Sequence, residues 1–226
     1  MNTQMNAHLL DVTHLSAHYG AAQVLFDVSL HVQRGEVVAL IGRNGAGKSS
    51  LLKAIMGLMP QRSGTVYLDG HDISQAQPYQ AARLGLGFVP EDRRIFTDLT
   101  VLENLQLGVQ APRHFATGQA APVWTLDQVF ALFPNLADMQ QRRASHMSGG
   151  EQQMLTVART LMGNPLMVLL DEPSEGVAPV IVEQMGEAIL ALKAQGVSVL
   201  LSEQNTHFAQ WVSDRSYTLD RGVLSL

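Results

Sequence analysis

The sequence contains no cysteine and has little charge, since aspartate, glutamate, lysine and arginine together make up 15% of its 226 residues. Without cysteine the chain can form neither disulfides nor thiolate metal sites, and its composition is compatible with a reducing compartment. The formal net charge is −5 and the sequence pI is about 5.9. A surface that attracts phosphodiester backbones is therefore not expected, and no nucleic acid is expected as a partner.

Long apolar segments are missing as well. Strongly apolar runs such as residues 37–41 and 166–170 are far shorter than the roughly 20 residues that span a bilayer. The opening stretch MNTQMNAHLLDV has neither the basic stretch nor the apolar core of a secretion signal. Any connection of this chain to a membrane is therefore expected to go through a partner. A hydrophobic content of 46% is enough to bury a sizeable core.

Short apolar runs alternate with helical patterns along the chain. Residues 36–41 form an apolar run that leads into a glycine loop, and residues 166–170 have the unbroken apolar character of a parallel strand covered on both faces. This alternation predicts an α/β fold with a mainly parallel core sheet, preceded by a β-layer. The pattern becomes mostly helical between about 92 and 162, with a helix over 97–105. We expect a single domain over residues 1–226 with a helical insert at about 92–162.

A phosphate-binding loop is the strongest motif. The segment from Gly42 to Ser49 reads GRNGAGKS and follows an apolar run, so it satisfies the GxxxxGK[ST] pattern between strand and helix. Backbone N–H groups of such a loop surround phosphate oxygens, Lys48 reaches the outer phosphates, and the Ser49 hydroxyl can ligate Mg²⁺. A plain glycine-rich turn is the disfavoured alternative. The predicted phosphate-binding residues of this loop are Gly42, Asn44, Gly45, Ala46, Gly47, Lys48, Ser49 and Ser50.

Two adjacent carboxylates follow the apolar run of residues 166–170. An apolar strand that ends in Asp171 and Glu172 delivers both at the carboxyl edge of the sheet, where open α/β folds bind ligands. Asp171 is placed to hold Mg²⁺, and Glu172 could orient or deprotonate the attacking water. The alternative is that both acids only cap the turn at Pro173, which the nearby P-loop disfavours.

A second predicted helix start that contains glycines lies at MSGGEQQM, residues 147–154. Ser148 and Glu151 fit the S-x-x-E capping box, which explains these two residues as a helix cap. It does not explain Gly149 and Gly150, which lose backbone entropy unless something must approach the backbone closely. Because the P-loop already holds the chain's own phosphate, we expect this helix start to receive the phosphate of another copy.

These motifs, in this order and spacing, resemble the ATP-binding cassette (ABC) ATPases over essentially the whole chain. The resemblance implies a P-loop NTPase fold of ABC type with an N-terminal antiparallel β-layer and an inserted helical subdomain that carries the signature motif. It further implies that two cassettes face each other head to tail. Ser148, Gly149 and Gly150 would then contact the γ-phosphate bound to the opposite subunit, and Tyr19 would stack on adenine. Without the resemblance, Tyr19 could be core packing.

Three departures from the usual ABC pattern point to a branch of the family. Glu91 stands where most cassettes have glutamine, Gln204 where most have the switch histidine, and Ala178 where most have an aspartate. These changes are similar to those of the shorter ATPase of branched-chain amino-acid importers and related urea and amide systems. Gln204 can donate only a neutral hydrogen bond to the γ-phosphate, and Glu91 can ligate Mg²⁺. His207 is expected to be an exposed helix histidine.

The function expected from the resemblance is ATP hydrolysis coupled to import across a membrane. Its partners would be transmembrane permease subunits, a second ABC ATPase of the same or a related kind and, indirectly, a solute-binding protein. The chain would then sit peripherally on the cytoplasmic face of the membrane. Residues 93–96, RRIF, belong to the neighbourhood that receives a permease helix in this family, although local packing of Ile95 and Phe96 is an equal alternative. An exporter-type cassette, a soluble non-transport ABC ATPase and a small-molecule kinase remain as alternatives.

Overall fold

The computed structural model describes residues 8–225. The strands of this range are β1 (Leu10–Tyr19), β2 (Ala22–Val32), β3 (Val37–Ile41), β4 (Arg62–Leu68), β5 (His71–Asp72), β6 (Leu86–Val89), β7 (Met167–Asp171), β8 (Ser198–Glu203), β9 (Arg215–Asp220) and β10 (Val223–Ser225). The α-helices are α1 (Lys48–Met56), α2 (Pro78–Arg83), α3 (Val101–Gly108), α4 (Leu126–Leu132), α5 (Pro134–Asp138), α6 (Gly149–Leu161), α7 (Pro179–Ala194) and α8 (Thr206–Val212).

The core sheet has six strands in the order β10-β9-β3-β8-β7-β6. The pairings β9–β3, β3–β8, β8–β7 and β7–β6 are parallel, and β10 closes the edge antiparallel to β9. Every residue of β7 is buried, as expected for a parallel strand covered on both faces. The carboxyl ends of β3 and β7 therefore meet at one edge of the sheet, where the P-loop and the two carboxylates emerge.

A second sheet of four antiparallel strands has the order β2-β1-β4-β5. Its apolar face packs over α1 and one face of the core sheet, and this forms a buried cluster that includes Leu15, Leu25, Leu52 and Leu200. A second buried cluster lies on the other face of the core sheet, where α3, α6 and α7 contribute Leu105, Leu155 and Ile189. The mixed architecture confirms the predicted α/β fold of P-loop type with an antiparallel β-layer.

Residues 92–162 form a mostly helical segment that contains α3, α4, α5, α6 and a 3₁₀ turn at Ala144–His146. The prediction of a helix over 97–105 is wrong at its start, because α3 begins at Val101. Thr100 is its N-cap: the Thr100 hydroxyl accepts from Glu103 N at 3.2 Å, and Glu103 Oε2 accepts from Thr100 N at 2.8 Å. This reciprocal capping box fixes the helix start four residues later than the helical pattern indicated.

None of the helices within residues 8–225 is both long and apolar enough to cross a membrane.

Candidate nucleotide-binding site

The start of α1 is an open helix N-terminus. Gly45 and Gly47 adopt left-handed φ values of 81° and 106°, which a glycine adopts without steric cost. Gly47 is the N-cap, no side chain caps the helix, and its first turn contains no acidic residue. The N–H groups of this turn therefore have no side-chain acceptor, and the positive end of the helix dipole faces the loop. Both properties fit a bound phosphate.

Lys48 is held beneath this loop and is only 3% exposed. Its ammonium donates to the carbonyl oxygens of Gly42 at 2.8 Å and Arg43 at 3.2 Å, and it lies 3.0 Å from Glu172 Oε1. The loop carbonyls thus aim the ammonium while Glu172 balances its charge. A lysine fixed in this way can bind a phosphate oxygen once its contact with the Glu172 carboxylate is broken.

Ser49 and Asp171 meet across the sheet edge. The Ser49 hydroxyl donates to Asp171 Oδ1 at 2.8 Å, and the Ser202 hydroxyl donates to the same oxygen at 2.7 Å. A hydroxyl and a carboxylate are hard oxygen ligands of the kind that Mg²⁺ prefers. No group of three His, Asp or Glu in residues 8–225 could hold a metal by itself. A magnesium ion here would therefore also need phosphate oxygens, which the adjacent P-loop is built to hold.

Glu172 adopts a strained backbone with φ of 49°, which for a non-glycine residue persists only when the surroundings enforce it. The Glu172 N–H donates to Ser202 O at 3.1 Å and thereby fixes the turn after β7. Burial alone would raise the pKa of Glu172, but hydrogen bonds from Glu175 and Lys48 and the charge of Lys48 outweigh it and hold the pKa below its ordinary value. Glu172 is therefore held as a carboxylate anion beside Lys48 of the P-loop.

Glu175, which no sequence pattern predicts as a site residue, interacts with Glu172. Its hydrogen bond to Glu172 and the negative charge of that carboxylate raise the pKa of Glu175 to about 7. The turn that carries it is fixed by Glu203, whose Oε1 accepts from Ser174 N at 3.0 Å and whose Oε2 accepts from Asn205 N at 3.2 Å. Burial raises the pKa of Glu203. No local sequence pattern singles out either residue.

A cavity of about 350 Å³ opens above the P-loop. Its lining combines the P-loop, Glu172, the start of β2 and the turn between β9 and β10: Gln23, Val24, Phe26, Gly45, Gly47, Lys48, Ser49, Ser50, Glu172, Arg221 and Gly222. Gly222 N donates to Ala46 O at 2.8 Å, which attaches the C-terminal hairpin to the loop. No sequence pattern predicts this hairpin or β2 as a wall of the site, because only the fold brings them to the P-loop.

Tyr19 lies at the end of β1, outside the residues that line this cavity. It pairs with Ala22 next to Gln23 of the cavity wall. The Tyr19 side chain is 52% exposed, so the alternative of core packing is wrong. An exposed ring at this rim can stack on a base.

Gln204 lies in a second cavity of about 360 Å³, lined by Asn44, Ser174, Glu175, Glu203, Gln204 and Asn205. The structure therefore places Gln204 beside Asn44 of the P-loop. Glu91 lies two residues beyond the end of β6 and is exposed, and its charge contributes to the raised pKa of Glu175. His207 is exposed on α8, which confirms the expectation for this histidine.

Ser148, Gly149 and Gly150 lie apart from both cavities. Ser148 N donates to Glu151 Oε2 at 2.6 Å and Glu151 N donates to the Ser148 hydroxyl at 3.3 Å, so the capping box predicted for α6 is formed. A Cβ atom on Gly149 would lie 2.9 Å from Arg93 Nη1, and one on Gly150 would lie 2.7 Å from Ile181 Cγ1. Both glycines therefore have close neighbours within the chain, which is a second reason for glycine at these positions beside the predicted approach of a phosphate.

The chain is similar to ATP-binding proteins of ABC transporters. The family described as ABC transporter matches residues 25–175. The chain is 43% identical over 214 residues to the high-affinity branched-chain amino acid transport ATP-binding protein BraG of Pseudomonas aeruginosa, which covers 95% of this chain and 90% of BraG. It is also 33% identical over 216 residues to the lipopolysaccharide export system ATP-binding protein LptB of Haemophilus influenzae, which covers 96% of this chain and 88% of LptB.

Among solved structures, the ADP conformation of MJ1267, an ATP-binding cassette of an ABC transporter, matches with a TM-score of 0.79 at 28% identity, over 96% of this chain and 89% of that one.

Proposed function

The chain belongs to the ABC transporter family as an ATP-binding subunit and ATPase, and on this premise we propose that it is the shorter ATPase of an importer for branched-chain amino acids or a related small polar solute. The observation that carries the proposal is the joined geometry of Lys48, Ser49, Asp171 and Glu172 in a chain that is most similar to an amino-acid transport protein among the relatives described above. Within this proposal, residues 1–226 are one nucleotide-binding domain, and residues 92–162 are its helical insert.

The P-loop is proposed to bind ATP through its backbone N–H groups. The loop residues Gly42, Asn44, Gly45, Ala46, Gly47, Ser49 and Ser50 surround the phosphates, and Tyr19 stacks on the base. Lys48 exchanges its contact with Glu172 for a phosphate oxygen. Ser49, Asp171 and Glu91 are the residues that would hold Mg²⁺, which when bound supplies positive charge that neutralises the phosphate oxygens.

Glu172 is proposed as the general base. Its carboxylate lies 3.0 Å from Lys48 Nζ, so once Lys48 turns to the phosphate the carboxylate is free to accept a proton. Water then attacks the γ-phosphorus, the bond from that phosphorus to the ADP oxygen breaks, and the proton of the water passes to Glu172. Gln204 donates a hydrogen bond to the γ-phosphate, which stabilises developing charge less than a protonated histidine would.

The proposed assembly contains two cassettes. Ser148, Gly149 and Gly150 of one cassette contact the γ-phosphate that the P-loop of the other holds. ATP binding draws the cassettes together because the γ-phosphate offers contacts to both, and hydrolysis removes that shared group and lets the pair separate. The second cassette is a copy of this chain or a related ATPase.

A groove between the core sheet and the helical segment is the proposed docking site for the permease subunits. The groove has a volume of about 630 Å³ and is lined by Tyr79, Phe88, Phe96 and Leu107 together with the four arginines Arg83, Arg94, Arg113 and Arg159. Arg94 follows Glu91 by three residues, so a shift of Glu91 on nucleotide binding would also move Arg94 in the groove. Through the permease the chain would lie on the cytoplasmic face of the membrane, with a solute-binding protein on the other side.

The ATPase of an export system is a second candidate, which the similarity to LptB favours. Co-purification of the chain from membranes, followed by transport assays in vesicles, separates the two. An importer predicts permease subunits in the purified complex and ATP-dependent uptake of labelled leucine or a related solute. Recovery of export proteins, with ATP-dependent movement out of the cytoplasmic compartment, would contradict the importer.

A further inference from the structure

Arg93 lies in a strained loop that is attached to α6. Arg93 and Arg94 both adopt left-handed backbones, with φ of 62° and 51°, although neither is a glycine. Two side chains of α6 hold this conformation, because the Thr156 hydroxyl donates to Arg93 O at 3.0 Å and Arg159 Nη2 donates to Arg94 O at 2.6 Å. Strain of this kind persists where the surrounding structure enforces it, and it is common at functional sites.

The guanidinium group of Arg93 covers the first residue of α6. A Cβ atom on Gly149 would lie 2.9 Å from Arg93 Nη1 and 3.2 Å from Arg93 Cζ. Arg93 Nε is buried and has no hydrogen-bond partner in the part of the chain that the structure describes. Over the same range, Arg93 forms no ion pair with a carboxylate. A positive charge thus stands at this helix start without a negative partner.

Because the capping box places a carboxylate at the start of α6, this helix start needs the positive charge of Arg93 if it is to bind a phosphate. Glu151 Oε2 lies 2.6 Å from Ser148 N, and within residues 8–225 the one ion pair of this carboxylate is a long one, from Glu151 Oε1 to Arg142 Nη1 at 4.0 Å. The carboxylate therefore occupies one donor of the helix start and repels any further anion there. Gly149 leaves room for the Arg93 guanidinium on the same turn, where it offsets that repulsion.

We propose that Arg93 binds the γ-phosphate of the opposite cassette, together with Ser148 and Gly149 of its own chain. This inference rests on the proposed two-cassette assembly. The guanidinium is a fork of N–H donors that matches phosphate geometry, and it always carries its charge. Because Arg93 follows Glu91 by two residues, one short loop links the nucleotide of its own P-loop to the nucleotide of the partner.

The test uses the transport complex purified from membranes, in which both cassettes are present. Arg93→Met keeps an unbranched apolar side chain about as long as the aliphatic stem of arginine and removes the charge, and Arg93→Lys restores the charge. Arg143→Met is the matched control, since Arg143 is an exposed arginine of the same helical segment outside the Arg93–Gly149 contact. Steady-state hydrolysis gives kcat and KM, and titration of the isolated chain with a fluorescent ATP analogue gives binding to the P-loop.

Arg93→Met is expected to lower kcat by about 10²-fold, in the range observed when one donor to a developing oxyanion is removed. Binding of the analogue to the isolated chain should not change, and Arg143→Met should match the wild type. Arg93→Lys should recover part of the rate, because it restores the charge but not the fork of N–H donors. A wild-type rate for Arg93→Met overturns the inference. Equal loss in Arg93→Met and Arg93→Lys also overturns it, since that result assigns Arg93 a packing role.

The variant Ser148→Arg separates this inference from the assembly on which it rests. If Ser148→Arg hydrolyses ATP normally, the proposed contact between cassettes is itself wrong. If Ser148→Arg is inactive while Arg93→Met is normal, the assembly stands and only the role of Arg93 fails.

Discussion

The starts of α1 and α6 are two glycine-containing helix N-termini that satisfy their backbone groups in opposite ways. The first turn of α1 has no side-chain cap and no acid. The first turn of α6 is closed by a reciprocal capping box between Ser148 and Glu151. The exposed donors of α1 need an external acceptor, whereas α6 is already stable as a helix without one.

This difference implies a division of labour. A helix start that lacks internal acceptors can bind an anion by itself, so α1 and Lys48 should be sufficient for ATP to bind to a single chain. In the proposed assembly, a helix start that already contains the Glu151 carboxylate binds an anion only together with Arg93 and the P-loop of the opposite chain. Binding should therefore depend on α1 alone, and hydrolysis on both helix starts.

The largest expected effect comes from Glu172, which lies beside α1. Glu172→Gln removes the proposed general base but keeps the size of the side chain, so kcat should fall by about 10²–10⁴-fold. ATP should remain bound, and the two cassettes should accumulate in the closed state. Hydrolysis of radiolabelled ATP and the sedimentation of the complex measure these two results. Glu183→Gln, an exposed change on α7, is the control, and undiminished turnover in Glu172→Gln would show that Glu172 is not the base.

Ser148→Arg tests the α6 side of the comparison. A long side chain at the N-cap should keep the opposite γ-phosphate away from α6, so turnover should fall by about 10²–10³-fold. Affinity of the isolated chain for ATP should stay at the wild-type value, because α1 is unchanged. Ser63→Arg, at an exposed position of β4, controls for the added charge. Loss of ATP binding by isolated Ser148→Arg would contradict the division of labour.

The two glycines of α6 should differ in their tolerance of a methyl group. At Gly150 a Cβ would lie 2.7 Å from buried Ile181 Cγ1, so Gly150→Ala should lower the free energy of unfolding by about 1–2 kcal/mol, after the gain in helix propensity is included. At Gly149 the neighbour is the end of the Arg93 side chain, which can move, so Gly149→Ala should be close to neutral in stability. Urea unfolding of the nucleotide-free chain compares them, and equal losses would mean that Arg93 is held as rigidly as Ile181.

The smallest expected effect concerns Glu175. Its pKa is raised to about 7 by the hydrogen bond to Glu172 and by the charge of that carboxylate, so between its ordinary pKa and pH 7 the folded chain binds a proton that the unfolded chain has lost. Stability should therefore fall as pH rises through this window and should level off above it. Because Glu175 is exposed, the difference should be about 2 °C or less in Tm.

Glu175→Gln should remove this pH dependence, which thermal unfolding of both chains between pH 5 and 8 can measure. Glu172 affects stability at lower pH than Glu175 does. Because its pKa is lowered in the folded chain, the Glu172 carboxylate stabilises the fold above its ordinary pKa. This stabilisation is lost only when the pH falls below that ordinary value towards the lowered one. A Tm difference between the two chains that does not change with pH would contradict the coupling between Glu175 and Glu172.

The parts of the site that the sequence predicts are those made by one continuous segment. Ser49 belongs to a strand–loop–helix pattern, and Asp171 and Glu172 end an apolar strand, so local patterns were sufficient to identify them. The start of α3 at Val101 was not predicted, although Thr100 and Glu103 fit the T-x-x-E pattern of a capping box.

The remaining features depend on contacts between distant segments. Arg221 and Gly222 reach the P-loop only because β9 pairs with β3 in the core sheet. The glycines of α6 have their partners at Arg93 and Ile181, which lie far away along the chain, so the sequence indicated a need for space but not which group uses it. Glu175 gains its raised pKa from a turn geometry that no spacing rule specifies.

The most direct test of the central claim, that one ATP is held by α1 of one cassette and α6 of the other, is a structure of the membrane complex with the Glu172→Gln chain, ATP and Mg²⁺. The claim predicts the Ser148 hydroxyl of one cassette within hydrogen-bond distance of a γ-phosphate oxygen held by the P-loop of the other. Ser148 facing solvent in the closed complex, with ATP contacted by a single cassette, would contradict it.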